Sequence, residues 1–275
     1  MFRKKPKQLP QRPRLGQQGR RLAEDPQTPA RTLAELAREC QDDPYVLSLI
    51  ARNPNTSGQT LTELAASSYY EVRDAVAKNP RTPATVLDRL VRDRVERFQD
   101  DSWRHTSTST LVAFINREVA KNPNTSPGTL RLLEDHHEEV GGNPNAAPDS
   151  LTRIAEYAFR PIKKGDENYY AEWESQSRAM RALAGNPSTP RKVLKALAKT
   201  GAVDLVAGNP NASPALLLKI ATGPCDWGGD EEEDDKPHRA LATNPSTSLE
   251  AINILVEAHP RDADFYASRG ERQLQ

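Results

Sequence analysis

Apolar positions in this chain follow a phrase that recurs eight times. In "VAKNPNTSPGTL", Val119 to Leu130, an apolar residue and an Ala precede an Asn-Pro step, and a Thr, a Pro and a Leu follow it. Pro lacks a backbone N–H and disfavours helical geometry in the preceding residue, so each step predicts the end of a helix. The residue before the Pro, here called the anchor, occurs at Asp25, Asn53, Asn79, Asn122, Asn143, Asn186, Asn209 and Asn244.

Three apolar columns surround every anchor. Three residues before it stand Leu22, Ile50, Val76, Val119, Val140, Leu183, Val206 and Leu241. Eight residues after it stand Leu33, Leu61, Leu87, Leu130, Leu151, Leu194, Leu217 and Ile252. Eleven residues after it stand Leu36, Leu64, Leu90, Leu133, Ile154, Leu197, Ile220 and Leu255. The last two columns are three residues apart, so they predict one buried helix face.

Small and polar positions complete the phrase. The residue two before the anchor is Ala, or Gly141 in one case, which predicts a close approach of two backbones. The Thr three residues after the anchor, present in six phrases, predicts an N-cap for the next helix. Ala146 and Ala212 replace it twice, and Ser213 is the expected substitute for the latter. Between His137 and Asn143 only "EEVGG" remains, which predicts a single 3₁₀ turn.

Each phrase therefore predicts a short helical segment before the turn, a long helix after it and then a variable link. One such unit cannot bury its apolar face alone. The sequence therefore predicts an all-α solenoid in which the eight units stack. The pattern apolar-Ala-x-Asn-Pro-x-Thr-Pro-x-x-x-Leu-x-x-Leu-Ala resembles the leucine-rich repeat variant family of bacterial proteins, and the resemblance covers Leu22 to Glu257.

This resemblance implies a right-handed superhelix of about eight helical repeats, each an α-helix with a short α or 3₁₀ segment, distantly similar to HEAT and armadillo arrays. It also implies a bacterial cytoplasmic protein, with MoxR-type ATPases and von Willebrand-type domain proteins as candidate partners. The chain departs from the family in spacing, because its anchors are 28, 26, 43, 21, 43, 23 and 35 residues apart. It also lacks the iron–sulfur cysteine cluster described in one member.

Three insertions, near 93–113, 158–177 and 222–238, cause the long intervals, and all fall in the link. A solenoid would bring them to one edge, which is typical of a binding face. Each contains one tryptophan, and aromatic residues are enriched in binding hot spots. The alternative, that each Trp anchors its own insertion, predicts buried indoles. The predicted partner-binding aromatic residues are Trp103, Tyr169, Tyr170, Trp173 and Trp227.

Charge is unevenly distributed although the formal net charge is zero. The third insertion adds acidic candidates for partner binding, which are Asp230, Glu231, Glu232, Glu233, Asp234 and Asp235. Three interpretations remain open for them: a solvated loop, a docking site for a basic partner, or a divalent-cation site that does not have EF-hand spacing. Residues 1–21 are predicted to be a disordered basic arm, whose cations are Arg3, Lys4, Lys5, Lys7, Arg12, Arg14, Arg20 and Arg21. Residues 258–275 are predicted to be a cap or a tail.

Motifs for chemistry are absent from the sequence. It contains no G-x-x-x-x-G-K-[ST] or G-x-G-x-x-G phosphate loop, and "DHHEEV" lacks the second His of a zinc motif. Cys40 and Cys225 are too few for a disulfide framework, and no apolar run has the length of a membrane span. We therefore expect a cytoplasmic, non-enzymatic scaffold for protein–protein interaction, with no cofactor, metal, membrane contact or small-molecule substrate. The alternative is a solenoid that binds nucleic acid through its basic arm.

Overall fold

The computed structural model describes residues 16–93, 98, 105–163, 165, 167–223, 236–259 and 262–273. Within these ranges the chain forms seventeen α-helices and no β-strand, which confirms the predicted all-α class. The described residues divide into two compact units, and the division lies between Thr125 and Ser126.

The first unit contains seven helices: α1 Gly16–Glu24, α2 Ala30–Glu39, α3 Pro44–Arg52, α4 Gly58–Leu64, α5 Tyr70–Lys78, α6 Ala84–Arg92 and α7 Thr108–Lys121. Within the described residues the second unit contains ten: α8 Pro127–Leu132, α9 His137–Gly142, α10 Pro148–Ala158, α11 Tyr169–Gly185, α12 Arg191–Leu197, α13 Val203–Gly208, α14 Pro214–Ala221, α15 Lys236–Thr243, α16 Leu249–Ala258 and α17 Ala263–Gln273.

Every anchor lies just after one helix and five residues before the first residue of the next. The helices that precede the turns pack in series, as α1, α3, α5 and α7 in the first unit and as α9, α11, α13 and α15 in the second. Two expectations about these helices are wrong. They are not uniformly short, because α7 has 14 residues and α11 has 17. The segment 137–142 is α-helical rather than 3₁₀, since its Val140 amide bonds to the His136 carbonyl four residues earlier.

The three apolar columns form the core, as predicted. Every member is buried except Leu22, which is half-buried. The small residues two before the anchors are buried as well, and an added Cβ at Gly141 would contact Ala182 and Leu183 of α11 at 3.5 and 3.7 Å. This close approach explains why larger side chains are absent from that position.

The threonines after the anchors do not cap the following helix, contrary to prediction. Except at Thr28, their buried hydroxyls instead donate to a carbonyl six residues earlier, in the last turn of the preceding helix, as Thr82 does to Val76 (2.6 Å) and Thr189 to Leu183 (2.7 Å). The following helix begins two residues later, so its N-cap is the residue after the Thr. Where that residue is Ser, its hydroxyl accepts a hydrogen bond from a helix amide. Ser213 does so from the Leu216 amide at 3.3 Å, which confirms it as the predicted substitute cap after Ala212.

The anchor asparagines connect successive turns. The buried side chain of Asn79 donates from Nδ2 to two backbone carbonyls of the preceding turn, those of Ala51 (2.6 Å) and Asn53 (3.1 Å). Its Oδ1 accepts from the amide two residues ahead, that of Arg81, at 2.8 Å. The same double donation is made by Asn53 and Asn122 in the first unit and by Asn186, Asn209 and Asn244 in the second.

We call this series the asparagine ladder. One acceptor is the carbonyl of the Ala or Gly two residues before the preceding anchor, and the other is the carbonyl of the preceding anchor itself. The sequence predicted only that Asn would bond to nearby backbone within its own turn. The long-range bonds explain why Asn rather than Asp occupies the anchor, because Asp cannot donate when ionised. Asp25, the exception, is exposed and only accepts, from the Gln27 amide at 2.9 Å.

The predicted boundaries need three adjustments. Residues 16–21, assigned to the arm, are part of helix α1, and Ala23 of that helix is buried. Residues 169–177 of the second insertion are not part of a link but extend α11, and the first insertion ends inside α7. At the other end α17 packs against α16 and buries Tyr266 completely, which favours the predicted cap over a tail.

Candidate interaction site

The first half of α11 presents aromatic side chains to solvent. Tyr170 is 81% exposed and Trp173 is 56% exposed, and their spacing of three residues places them on one side of the helix. Tyr169 is half-buried and its ring meets that of Tyr170 edge to face, with centroids 5.4 Å apart. We call these three residues the aromatic face. The exposure of Trp173 does not fit the alternative in which its indole anchors the insertion.

One turn after Trp173, α11 is fixed to the end of α10. Gln176 is buried, and its Nε2 donates to the carbonyls of Tyr157 (3.3 Å) and Arg160 (3.0 Å). The Tyr157 hydroxyl donates to Ser175 Oγ at 3.0 Å. These bonds tie α11 to backbone and side-chain groups at the C-terminal end of α10. The aromatic face therefore stands on a helix whose position is defined by hydrogen bonds, which lowers the entropy cost of binding a partner.

A cavity of about 420 Å³ lies beside this contact. Its wall includes His137, the first residue of α9, whose ring stacks on that of Tyr157 with centroids 3.6 Å apart and an angle of 4°. Glu134 also lines the cavity and binds Arg153 through both carboxylate oxygens, at 2.5 and 2.7 Å. Ser150 donates to the same carboxylate at 2.7 Å. Arg160 adds an exposed cation to the rim.

The pKa values of two side chains that line the cavity, Glu134 and His137, are lower than usual. The hydrogen bonds from Arg153 lower the pKa of Glu134, although partial burial opposes this effect. Burial lowers the pKa of His137, and the nearby carboxylate of Asp135 opposes that shift. Each of these side chains thus favours a defined charge at neutral pH: Glu134 is ionised and His137 is neutral.

We expect acidification to destabilise the protein through His137. Because its folded pKa lies below the unfolded value of about 6.5, the neutral ring stabilises the fold above that pH, and this contribution is lost as the pH falls. The midpoint of thermal unfolding, recorded by circular dichroism, should drop more between pH 7.5 and 5.5 in the wild type than in His137→Phe. The variant keeps a ring to stack on Tyr157 but cannot titrate. Equal drops in both proteins would contradict the prediction.

The structure describes only some of the residues predicted as sites. Tyr169, Tyr170 and Trp173 lie together on α11, as given above. Arg20 and Arg21 lie on α1 and are exposed, and the Arg20 guanidinium stands 4.8 Å above the Tyr45 ring. Outside the described residues lie Trp103, Trp227, Asp230, Glu231, Glu232, Glu233, Asp234, Asp235, Arg3, Lys4, Lys5, Lys7, Arg12 and Arg14.

Two features of this region escape prediction from sequence. In the sequence His137 belongs only to an incomplete zinc motif, and no pattern singles out Tyr157. Only the folded chain brings the start of α9 against the end of α10. The described residues contain no group of three or more His, Cys, Asp or Glu placed to hold a metal ion. In the same part of the chain, every helix is too short or too polar to span a membrane.

Comparison with protein-family models, with curated proteins and with solved structures finds no match to this chain.

Proposed function

We propose that this protein is a non-enzymatic scaffold that binds another protein through the aromatic face of α11. One observation carries the proposal: Tyr170 and Trp173 are largely exposed on a helix that Gln176 fixes to the end of α10. Aromatic side chains that lose little entropy on binding are characteristic of hot spots. Folding does not require their exposure, since burial of a Trp side chain would stabilise the chain further.

The architecture we propose for this scaffold is a right-handed solenoid of about eight repeats, related to the leucine-rich repeat variant family. The recurrence of the phrase and of the asparagine ladder in both units supports it. On the same resemblance we propose a bacterial cytoplasmic complex, with a MoxR-type ATPase or a von Willebrand-type domain protein as partner. In this proposal the protein acts without a cofactor or a bound metal.

Replacing Tyr170 and Trp173 together by Ala should weaken partner binding at least ~30-fold, which corresponds to about 2 kcal/mol, the loss expected for a hot spot. Both side chains are exposed, so the fold should be retained. The partner is first identified by affinity purification and mass spectrometry, and the dissociation constants of wild type and variant are then measured by calorimetry.

A matched control replaces Tyr45 and Phe114 by Ala, two aromatic residues of the first unit that are 51% and 43% exposed. This control should bind within about twofold of the wild type, because neither side chain belongs to the aromatic face. Unchanged affinity in the Tyr170/Trp173 variant, or an equal loss in the control, would remove the aromatic face as the binding site.

A further inference from the structure

A second surface of the second unit carries a concentrated positive charge. Arg191, Lys192 and Lys195 on α12, and Lys199 two residues beyond its end, are all exposed. The helix contains no acidic residue, and its other side is buried in the core through Leu194. Lys192, Lys195 and Lys199 follow a spacing of three and four residues, so they share one side of the segment. We call these four residues the basic face.

No carboxylate among the described residues pairs with this charge. No ion pair within the described residues involves any of the four cations, whereas Arg181 and Arg153 of the same unit each lie within 4 Å of a carboxylate. Arg191 and Lys192 also stand in the first turn of α12, where the helix dipole disfavours positive charge. Two other helices that follow a turn do the opposite, since α10 and α16 have Asp149 and Glu250 in their first turns, whereas α14 has no acidic residue there.

The size and the composition of the basic face indicate its ligand. From Arg191 to Lys199 the chain advances eight residues, about 12 Å if helical, which is short for a nucleic-acid backbone track. The basic segment contains no aromatic residue on which a base could stack.

We propose that the basic face binds a short acidic segment of a partner protein, with three or four carboxylates facing Lys192, Lys195 and Lys199. Such a peptide matches the charge and the length of the surface. This interface is separate from the aromatic face on α11 and does not depend on the function proposed for it. The contact is electrostatic and exposed, so its affinity falls as ionic strength rises.

The test is a titration of a fluorescein-labelled octaglutamate peptide with the full-length chain, followed by fluorescence anisotropy at low salt. The charge reversal K192E/K195E should raise the dissociation constant at least tenfold, and the milder K192Q/K195Q should raise it by a smaller factor. Circular dichroism verifies that both variants remain helical. The matched control R38E/R52E makes the same change in net charge at two exposed positions of the first unit and should stay within twofold of the wild type.

Three results would overturn the proposal. The first is no binding of the peptide at low salt. The second is an equal loss of affinity in R38E/R52E, which would indicate a response to net charge alone. The third comes from a labelled single-stranded oligonucleotide of eight residues: if it binds more tightly than the peptide and K192E/K195E weakens it tenfold, the surface is a nucleic-acid interface instead.

Discussion

Replacing Asn79 by Asp is expected to lower the free energy of unfolding by about 3–5 kcal/mol at pH 7, although the two side chains have nearly the same shape. Asn79 is 2% exposed and donates from Nδ2 to the carbonyls of Ala51 and Asn53. An ionised Asp would keep the bond from the Arg81 amide but would direct a negative oxygen at those two carbonyls. The loss combines two buried acceptors without donors and one buried charge.

The pH dependence of this loss distinguishes the asparagine ladder from a packing defect. Burial and the facing carbonyls raise the pKa of the introduced carboxyl above its unfolded value of about 3.9. The variant is therefore least stable above the folded pKa, and its deficit shrinks as the pH falls towards 4, where a protonated carboxyl can donate one bond. Urea titrations of wild type and variant at pH 7 and pH 4.5, followed by circular dichroism, measure this difference.

Asp25→Asn is the control for this experiment. The side chain at position 25 is exposed and accepts one bond from the Gln27 amide, which an Asn oxygen accepts equally well. We expect a change within about 0.5 kcal/mol. A loss below 1 kcal/mol for Asn79→Asp at pH 7, or a deficit that does not depend on pH, would refute the role given to the ladder.

Leu130→Ala and Leu132→Ala should differ by about 3 kcal/mol although the two leucines stand two residues apart on α8. Leu130 belongs to the column eight residues after the anchor and is fully buried, so truncation leaves a cavity. Leu132 is 52% exposed, and its replacement should change stability by about 0.5 kcal/mol at most. Chemical denaturation of the two variants under the same conditions gives the comparison. Similar losses in both would show that the column does not define the core.

The apolar columns and the turns could be predicted from the sequence because their causes are local. Proline restricts its predecessor, and residues three apart share a helix face, whatever the rest of the chain does. The role of the threonines was predicted wrongly because that prediction also considered only local causes. A Thr before a helix favours an N-cap locally, but here its hydroxyl binds a carbonyl of the preceding helix. The donor bonds of the asparagines cross between turns, so no single phrase contains both partners.

The candidate sites show the same limit. Tryptophan is rare enough in this chain that Trp173 could be singled out, and the structure places it at the surface. Helical continuation through 169–177 could not be inferred, because an insertion between two turns has no repeat register to follow. His137 and Tyr157 meet only through tertiary packing. The basic face was missed because its lysines are ordinary in composition, and its interpretation depends on the lack of carboxylate partners among the residues that the structure describes.

The ladder also affects the chemical ageing of the protein. Asparagine converts to aspartate in proteins when the backbone nitrogen of the following residue attacks its side-chain carbonyl. Each anchor asparagine is followed by proline, which has no backbone N–H to lose. The residue that ends each helix therefore also blocks the spontaneous reaction that would place an aspartate in the ladder. Asn55, Asn124 and Asn211 lie two residues after an anchor and are followed by residues other than proline, so they lack this protection.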